Sequence, residues 1–187
     1  MILVGAVFIN NYVLTYFLGM CPFFGVSKKT ETALGMGIAV FFVMTLSSAM
    51  TYMFYTYIML PLNVTYLSTV IFILIIASIV QFLEVFMKKK FTMLYSMLGV
   101  YLPLITVNCA IFGVTLINIK NNYSLIESIV DSAGAGIGFT LAIVLLAGIR
   151  EKYDNNTDIL GLFKGFPMAL FAAGLMSIAF MGFRGLI

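Results

Sequence analysis

Six long apolar runs, separated only by short polar stretches, decide what this chain can fold into: Ile2–Met20, Thr32–Ile58, Tyr66–Met87, Phe91–Ile119, Ile126–Ile149 and Phe163–Ile187, each with few or no ionisable side chains. A helix needs ~20 apolar residues to cross the hydrocarbon of a bilayer. In lipid only helices and closed barrels satisfy every backbone polar group, and runs this continuous lack the ten-residue alternation of barrel strands. With 63% hydrophobic and 9% charged residues, the 187-residue chain is read as one all-α membrane domain, 1–187, of six transmembrane helices and no separate soluble part. The first run has no basic stretch ahead of it, so it is read as a membrane segment and not as a cleaved leader.

The basic residues orient the predicted bundle. If the separators alternate sides, Lys28, Lys29, Lys88, Lys89, Lys90, Arg150, Lys152 and Lys164 share one face, eight in all, against Lys120 and Arg184 on the other. Cytoplasmic loops collect Lys and Arg, so the basic loops are expected in the cytoplasm and both termini outside.

Both cysteines of the chain sit in matching phrases 88 residues apart, Cys21-Pro22-Phe23-Phe24-Gly25-Val26 and Cys109-Ala110-Ile111-Phe112-Gly113-Val114. A further match pairs Gly35-Met36-Gly37-Ile38 with Gly134-Ala135-Gly136-Ile137, once 11 residues are inserted in the later half. Halves of about 1–90 and 91–187 then hold three helices each, and an odd number makes them cross the membrane in opposite senses. Inverted repeats of this kind place their sites near the midplane, at interrupted helices, here the first and the fourth. Pro22, which has no N–H to donate, is expected to help break the first of them. From the helix rise, Cys21 lies about 10 Å and Cys109 about 14 Å from the cytoplasmic boundary.

Three uses of two buried thiols stay open on the residues alone: small apolar side chains, a disulfide between the halves, or ligation of a soft metal or an iron–sulfur cluster. Histidine is absent, which excludes histidine-ligated haem, a histidine-containing zinc site and an imidazole relay within the chain. Two cysteines make half of a four-thiolate site, so ligation of that kind requires a second polypeptide or a second copy.

Asn10-Asn11-Tyr12-Val13-Leu14, Phe17-Leu18-Gly19-Met20-Cys21-Pro22-Phe23, Gly25-Val26-Ser27-Lys28-Lys29 and Leu102-Pro103-Leu104-Ile105-Thr106-Val107-Asn108-Cys109-Ala110 resemble the A-subunit family of the Rnf complex, a membrane-bound, ion-translocating ferredoxin:NAD oxidoreductase. The similarity runs the length of the chain, into Gly174-Leu175-Met176-Ser177 and Phe180-Met181-Gly182-Phe183. The E subunit of the sodium-translocating NADH:quinone reductase is a close relative, and Pro22 with Gly25-Val26 favours the Rnf side. The resemblance implies a subunit of a multisubunit translocase with no complete active site of its own. It implies that Cys21 and Cys109 bind half of a 2Fe-2S cluster, completed by a homologous six-helix subunit of opposite topology, the Rnf E-type. It also implies contact with other Rnf subunits carrying flavin and iron–sulfur centres, and electron relay across the membrane coupled to Na+ or H+ transport.

The competing expectation is an inverted-repeat secondary transporter or channel without a redox centre. Asn10, Asn11 and Asn108 are expected to be interhelical hydrogen-bond partners, with Asn108 also placed to orient Cys109. Glu84, four residues before Lys88, is expected to form an ion pair at the helix end, and Asp131 to play a similar structural part. The run Gly134-Ala135-Gly136-Ile137-Gly138 mimics a nucleotide loop but follows no strand, so close helix packing is expected of it. No catalytic triad, phosphate loop or nucleic-acid-binding patch is present.

Overall fold

The computed structural model describes residues 3, 5–9, 11–62, 65–90, 104–105, 107–154 and 165–182. Among them every element is helical and none is a strand. Seven α-helices are labelled in chain order: α1 Tyr12–Tyr16, α2 Met20–Val26, α3 Thr30–Phe54, α4 Ser68–Lys90, α5 Cys109–Lys120, α6 Leu125–Asp154 and α7 Phe166–Met181. Three helical stretches are long and apolar enough to cross a membrane, Thr30–Met59, Ser68–Phe86 and Leu125–Tyr153, and α5 and α7 are shorter apolar helices. Asn10, Pro103, Lys164 and Arg184 lie outside the described residues, as do residues 91–103 of the expected fourth crossing and 183–187 of the sixth.

The first expected crossing, Ile2–Met20, is not one helix. It is a π turn over Gly5–Ile9, then α1, then α2. Asn11 makes the first break, because its amide serves both sides of it. Its Oδ1 accepts the N–H groups of Val13 at 3.1 Å and Leu14 at 3.4 Å, while its Nδ2 donates to the carbonyls of Val7 at 3.4 Å and Gly138 at 3.0 Å. The side chain thus caps α1, relieves an orphan carbonyl and ties the break to α6. The second break comes at Phe17 (φ 55°) and Gly19 (φ 84°), both left-handed. The Phe17 N–H and, at 3.2 Å, the Leu18 N–H both return to the Tyr12 carbonyl, which closes α1.

At the other end of α3 the expected separator Met59–Thr65 begins too early. Helix continues through a π turn at Tyr55–Met59 into Leu60–Leu62. Pro61 lacks an N–H and crowds the carbonyl four residues back, and a wider turn just ahead of it accommodates both defects.

The centre of the fold is the antiparallel pair α3–α6. Thr30 hydrogen-bonds Glu151 at one end, and the Ser48 hydroxyl donates to the Ser128 carbonyl at 3.2 Å toward the other. Between them small residues let the backbones close up. A Cβ on Gly136 would fall 2.8 Å from Phe41 Cα, and one on Gly37 would fall 2.9 Å from Thr140 Cβ. Gly134 and Gly138 meet the N-terminal segment in the same way, at Ala6 and Asn11, so the glycine run serves helix packing. α6 also touches the π turn, α1, α5 and α7. It buries 56% of its apolar window inside the chain, against 22% for α4, so α6 is the axis of the bundle and α4 lies at its rim. Outward stripes such as Leu34, Ile38, Phe42 and Leu46 on α3, or Val70, Ile73 and Leu74 on α4, face the apolar surroundings a membrane supplies.

The polar ends sort by charge. Lys28 and Lys29 precede α3 where α6 ends in Arg150 and Lys152. Tyr55 meets Phe72 with ring centroids 6.5 Å apart, which sets the start of α4 beside the end of α3, and the helix then runs back to Lys88–Lys90. Lys120 lies at the opposite end, where α5 turns into α6.

Candidate functional site

Each cysteine lies in the first turn of a helix that starts inside the apolar bundle. Cys109 is the first residue of α5 and Cys21 the second of α2. The two starts are built differently. Asn108 caps α5 with a side-chain Oδ1 that accepts the Ala110 N–H at 3.0 Å. Gly19 occupies the corresponding place ahead of α2 and caps it with no side chain at all. The reason is space: a Cβ on Gly19 would sit 3.1 Å from Ala110 Cβ, 3.1 Å from a Phe139 ring carbon and 3.2 Å from Asn108 Oδ1. Gly19 also needs its positive φ, so two constraints select glycine there.

That close approach brings the two cysteine phrases together. The Gly19 N–H donates to Cys109 Sγ at 2.8 Å, so Cys109 sits level with the residue two before Cys21. On the far side, a Cβ on Gly113 would fall 2.6 Å from Leu18 Cδ1, so the turn ahead of α2 is seated on the flank of α5. Cys109 is half-buried, whereas Cys21 is exposed on the surface of the chain. Neither is in a disulfide, which leaves the inter-half bridge without support in this structure. Beside Cys109, Asn108 Nδ2 is buried with no hydrogen-bond partner among the described residues.

Pro22 plays a different part from the one expected of it. It lies buried in the first turn of α2, where its missing N–H costs no helical bond, so it helps start this helix and does not break the preceding one. The break belongs to Phe17, Leu18 and Gly19. Asn108 likewise serves as a local cap, whereas Asn11 is the residue that crosses between helices.

Two residues matter to the site without having been singled out for it from the sequence. Gly19 had a signal, a glycine two positions before a cysteine within an apolar run. Arg150 had none beyond its charge. Its guanidinium is buried, and Nη1 donates to the Phe24 carbonyl at 2.8 Å and to Ser27 Oγ at 3.0 Å, which ties the C-terminal end of α2 to α6. Phe24 also packs on Phe166 of α7, with centroids 5.2 Å apart. The seven-residue helix that carries Cys21 is therefore fixed at both ends.

Asp131 is buried in α6 and accepts the Tyr12 hydroxyl at 3.0 Å, which joins α1 to the axis of the bundle. Glu84 is half-buried on α4, one turn before Lys88.

Chemically, the arrangement offers two soft sulfur donors on neighbouring helix starts, one supported by a backbone N–H and one open to an approaching chain. Comparison with known proteins agrees with a whole-chain relationship. Residues 1–187 match a family described as "Rnf-Nqr subunit, membrane protein". The chain is 57% identical over 185 residues to the A-subunit of the Na(+)-translocating ferredoxin:NAD(+) oxidoreductase complex of Acetobacterium woodii, covering 99% of this chain and 96% of that one. It is 51% identical over 187 residues to the A-subunit of the ion-translocating oxidoreductase complex of Vibrio vulnificus, covering 100% and 97%. It is 50% identical over 187 residues to the protein of the same name in Colwellia psychrerythraea, covering 100% and 96%.

Proposed function

The chain belongs to the Rnf-Nqr family of membrane subunits, and from that premise we propose that it is the electron-transferring A-type subunit of an ion-translocating ferredoxin:NAD oxidoreductase, in which Cys21 and Cys109 give two thiolates to a 2Fe-2S cluster shared with a homologous subunit. The observation that carries this reading is the Gly19 N–H bond to Cys109 Sγ, because it sets the two cysteine-bearing breaks side by side. Several features fit a half-site. The chain has two cysteines, so four thiolates require a partner; Cys21 is exposed where a partner must reach it; and Asn108 holds a buried N–H donor, unpaired among the described residues, beside Cys109. A thiolate-ligated cluster is anionic, and donors of this kind offset the cost of burying it. Bound there, the cluster would supply a one-electron relay within the membrane. The chain's own residues position the sulfurs: Gly19 and Gly113 allow the two starts to touch, Asn108 fixes the first turn of α5, and Arg150 anchors α2.

An inverted duplication supports the same reading. Gly37 packs on Thr140, and Gly136 packs on Phe41. Matching Gly37 to Gly136 also matches Phe41 to Thr140, so each contact is the other with the halves exchanged, the reciprocity expected of a two-fold relation. The basic end, with Lys28, Lys29, Lys88 and Lys152, is assigned to the cytoplasm of a bacterial inner membrane. The other partners proposed are flavin- and iron–sulfur-carrying subunits of the complex and the transported Na+ or H+.

The test is iron and acid-labile sulfide in the chain co-expressed with its six-helix homologue. The expected result is a 2Fe-2S signal lost on Cys21→Ser and on Cys109→Ser. A transporter or channel without a redox centre would hold no iron and keep its transport in both variants.

A further inference from the structure

At the basic end of the bundle one buried charge is only half used. Arg150 is 9% exposed, and both of its hydrogen bonds, to the Phe24 carbonyl and to Ser27 Oγ, leave from Nη1. A terminal guanidinium nitrogen carries two protons, so Nη1 is fully committed. Nε is enclosed without a partner, and Nη2, which is not enclosed, makes no hydrogen bond among the described residues. Nε–H and Nη2–H together form the side-on edge of a guanidinium, the fork that matches two oxygens of a phosphate or a carboxylate. No carboxylate among the described side chains pairs with it. Glu151, the next residue along α6, bonds Thr30 of α3. A buried, permanently charged group is costly without a counter-charge, so this edge favours an anion brought from outside the chain.

A second feature adjoins it. The Phe24 ring packs on that of Phe166, the first residue of the 16-residue α7, so the start of α7 lies against the end of α2 that Arg150 holds. That start has no side-chain cap: Gly165 stands at the N-cap with φ 105°, which leaves first-turn N–H groups to an outside acceptor. Lys28 and Lys29 directly follow Ser27, the other partner of Arg150, and both are exposed. We propose that the free edge of Arg150 and the start of α7 bind the phosphate of an anionic phospholipid, with Lys28 and Lys29 adding to the attraction. Basic sites between transmembrane helices take acidic lipid headgroups in this way. A lipid fits better than a free anion because apolar surface continues from the site along α7. Phe166 and, one turn further, Leu170 are 59% and 50% exposed, a flank on which an acyl chain can lie.

The test reads lipid binding and not electron transfer, so the site stands independently of the redox proposal. The experiment is native mass spectrometry of the purified complex titrated in detergent with phosphatidylglycerol, with phosphatidylcholine and inorganic phosphate as the other arms. The wild-type complex is expected to retain phosphatidylglycerol roughly tenfold more tightly than phosphatidylcholine, and inorganic phosphate is expected not to displace it. Arg150→Lys keeps the charge but deletes the fork, and is expected to weaken phosphatidylglycerol binding by roughly tenfold. Lys28→Gln combined with Lys29→Gln leaves the hydrogen bonds of Arg150 in place and is expected to weaken it by about fivefold or more. Phosphatidylglycerol bound equally by the wild type and a folded Arg150→Lys complex would overturn the proposal. So would a wild-type complex with no preference for phosphatidylglycerol over phosphatidylcholine, a result that needs no variant. Displacement by inorganic phosphate would mark a free-anion site, and a carboxylate of a neighbouring subunit on the Arg150 edge in a density map would mark a protein contact; either would overturn the lipid assignment.

Discussion

The start of α2 and the start of α5 present the same atom, a cysteine sulfur, by opposite means. At α5 a side chain does the work: Asn108 caps the helix, and Cys109 is half-buried beneath the turn that precedes α2. At α2 side-chain atoms are excluded: Gly19 turns the chain with a positive φ, offers its backbone N–H to the other sulfur and leaves Cys21 exposed. Were both starts capped by asparagine, the second side chain would occupy the space that Ala110 and Phe139 already fill. Two matching sequence phrases can therefore meet only if one of them gives up its cap. The half that gives it up is the one that faces outward.

Four experiments break or sharpen that contrast, in order of expected effect. Cys21→Ser and Cys109→Ser are each expected to lower ferredoxin:NAD electron transfer of the intact complex by roughly 100-fold or more, because a lost ligand costs more than a lost supporting contact. If only Cys109→Ser did so, the exposed sulfur would have no part in the site and the two starts would be functionally unlike.

Gly19→Val comes next. A β-branched residue at a left-handed φ, with its Cβ 3.1 Å from that of Ala110, is expected to destabilise by on the order of 2–3 kcal/mol in thermal unfolding of the complex. Asn108→Ala removes a cap and is expected to cost about 1 kcal/mol by the same measurement. Equal losses at the two positions would contradict the division into an excluded and a supplied side chain.

Asn108→Ser separates capping from donation. A serine still caps, so stability is expected to fall by no more than about 0.5 kcal/mol. It deletes the buried Nδ2 donor next to Cys109, and an N–H dipole close to a cluster favours its reduced, more negative state, so the midpoint potential in a redox titration is expected to move negative. The smallest effect is kinetic. In the chain purified without partners, maleimide is expected to label Cys21 about tenfold faster than Cys109, following exposure; equal rates would remove the distinction.

The apolar runs, the segregation of basic residues and the matched cysteine phrases were legible in the sequence, because hydropathy and spacing act locally. The three long crossings fall near their expected bounds, and the small-residue run in α6 packs helices as its composition implies. What was not legible depends on where distant residues meet. Pro22 reads as a breaker along the chain, yet helix position decides its effect, and at the start of α2 it is harmless. Arg150 reads as one more basic loop charge, whereas α2 happens to end beneath it. Asn11 looks like Asn108 in sequence, but the neighbouring Gly138 carbonyl turns the first into a crosslink and leaves the second a cap. The hydrogen bonds from Asn118 to Ser48 and Ser132 join three helices and have no linear signature.

The proposed joint grip of the two helix starts on iron is tested most directly by a density map of the intact complex at a resolution that separates sulfur from iron. The expected result is a two-iron feature touching Cys21 Sγ and Cys109 Sγ of this chain and two thiolates of its homologue. Cysteine sulfurs that face lipid, or that sit apart with no metal density between them, would contradict it.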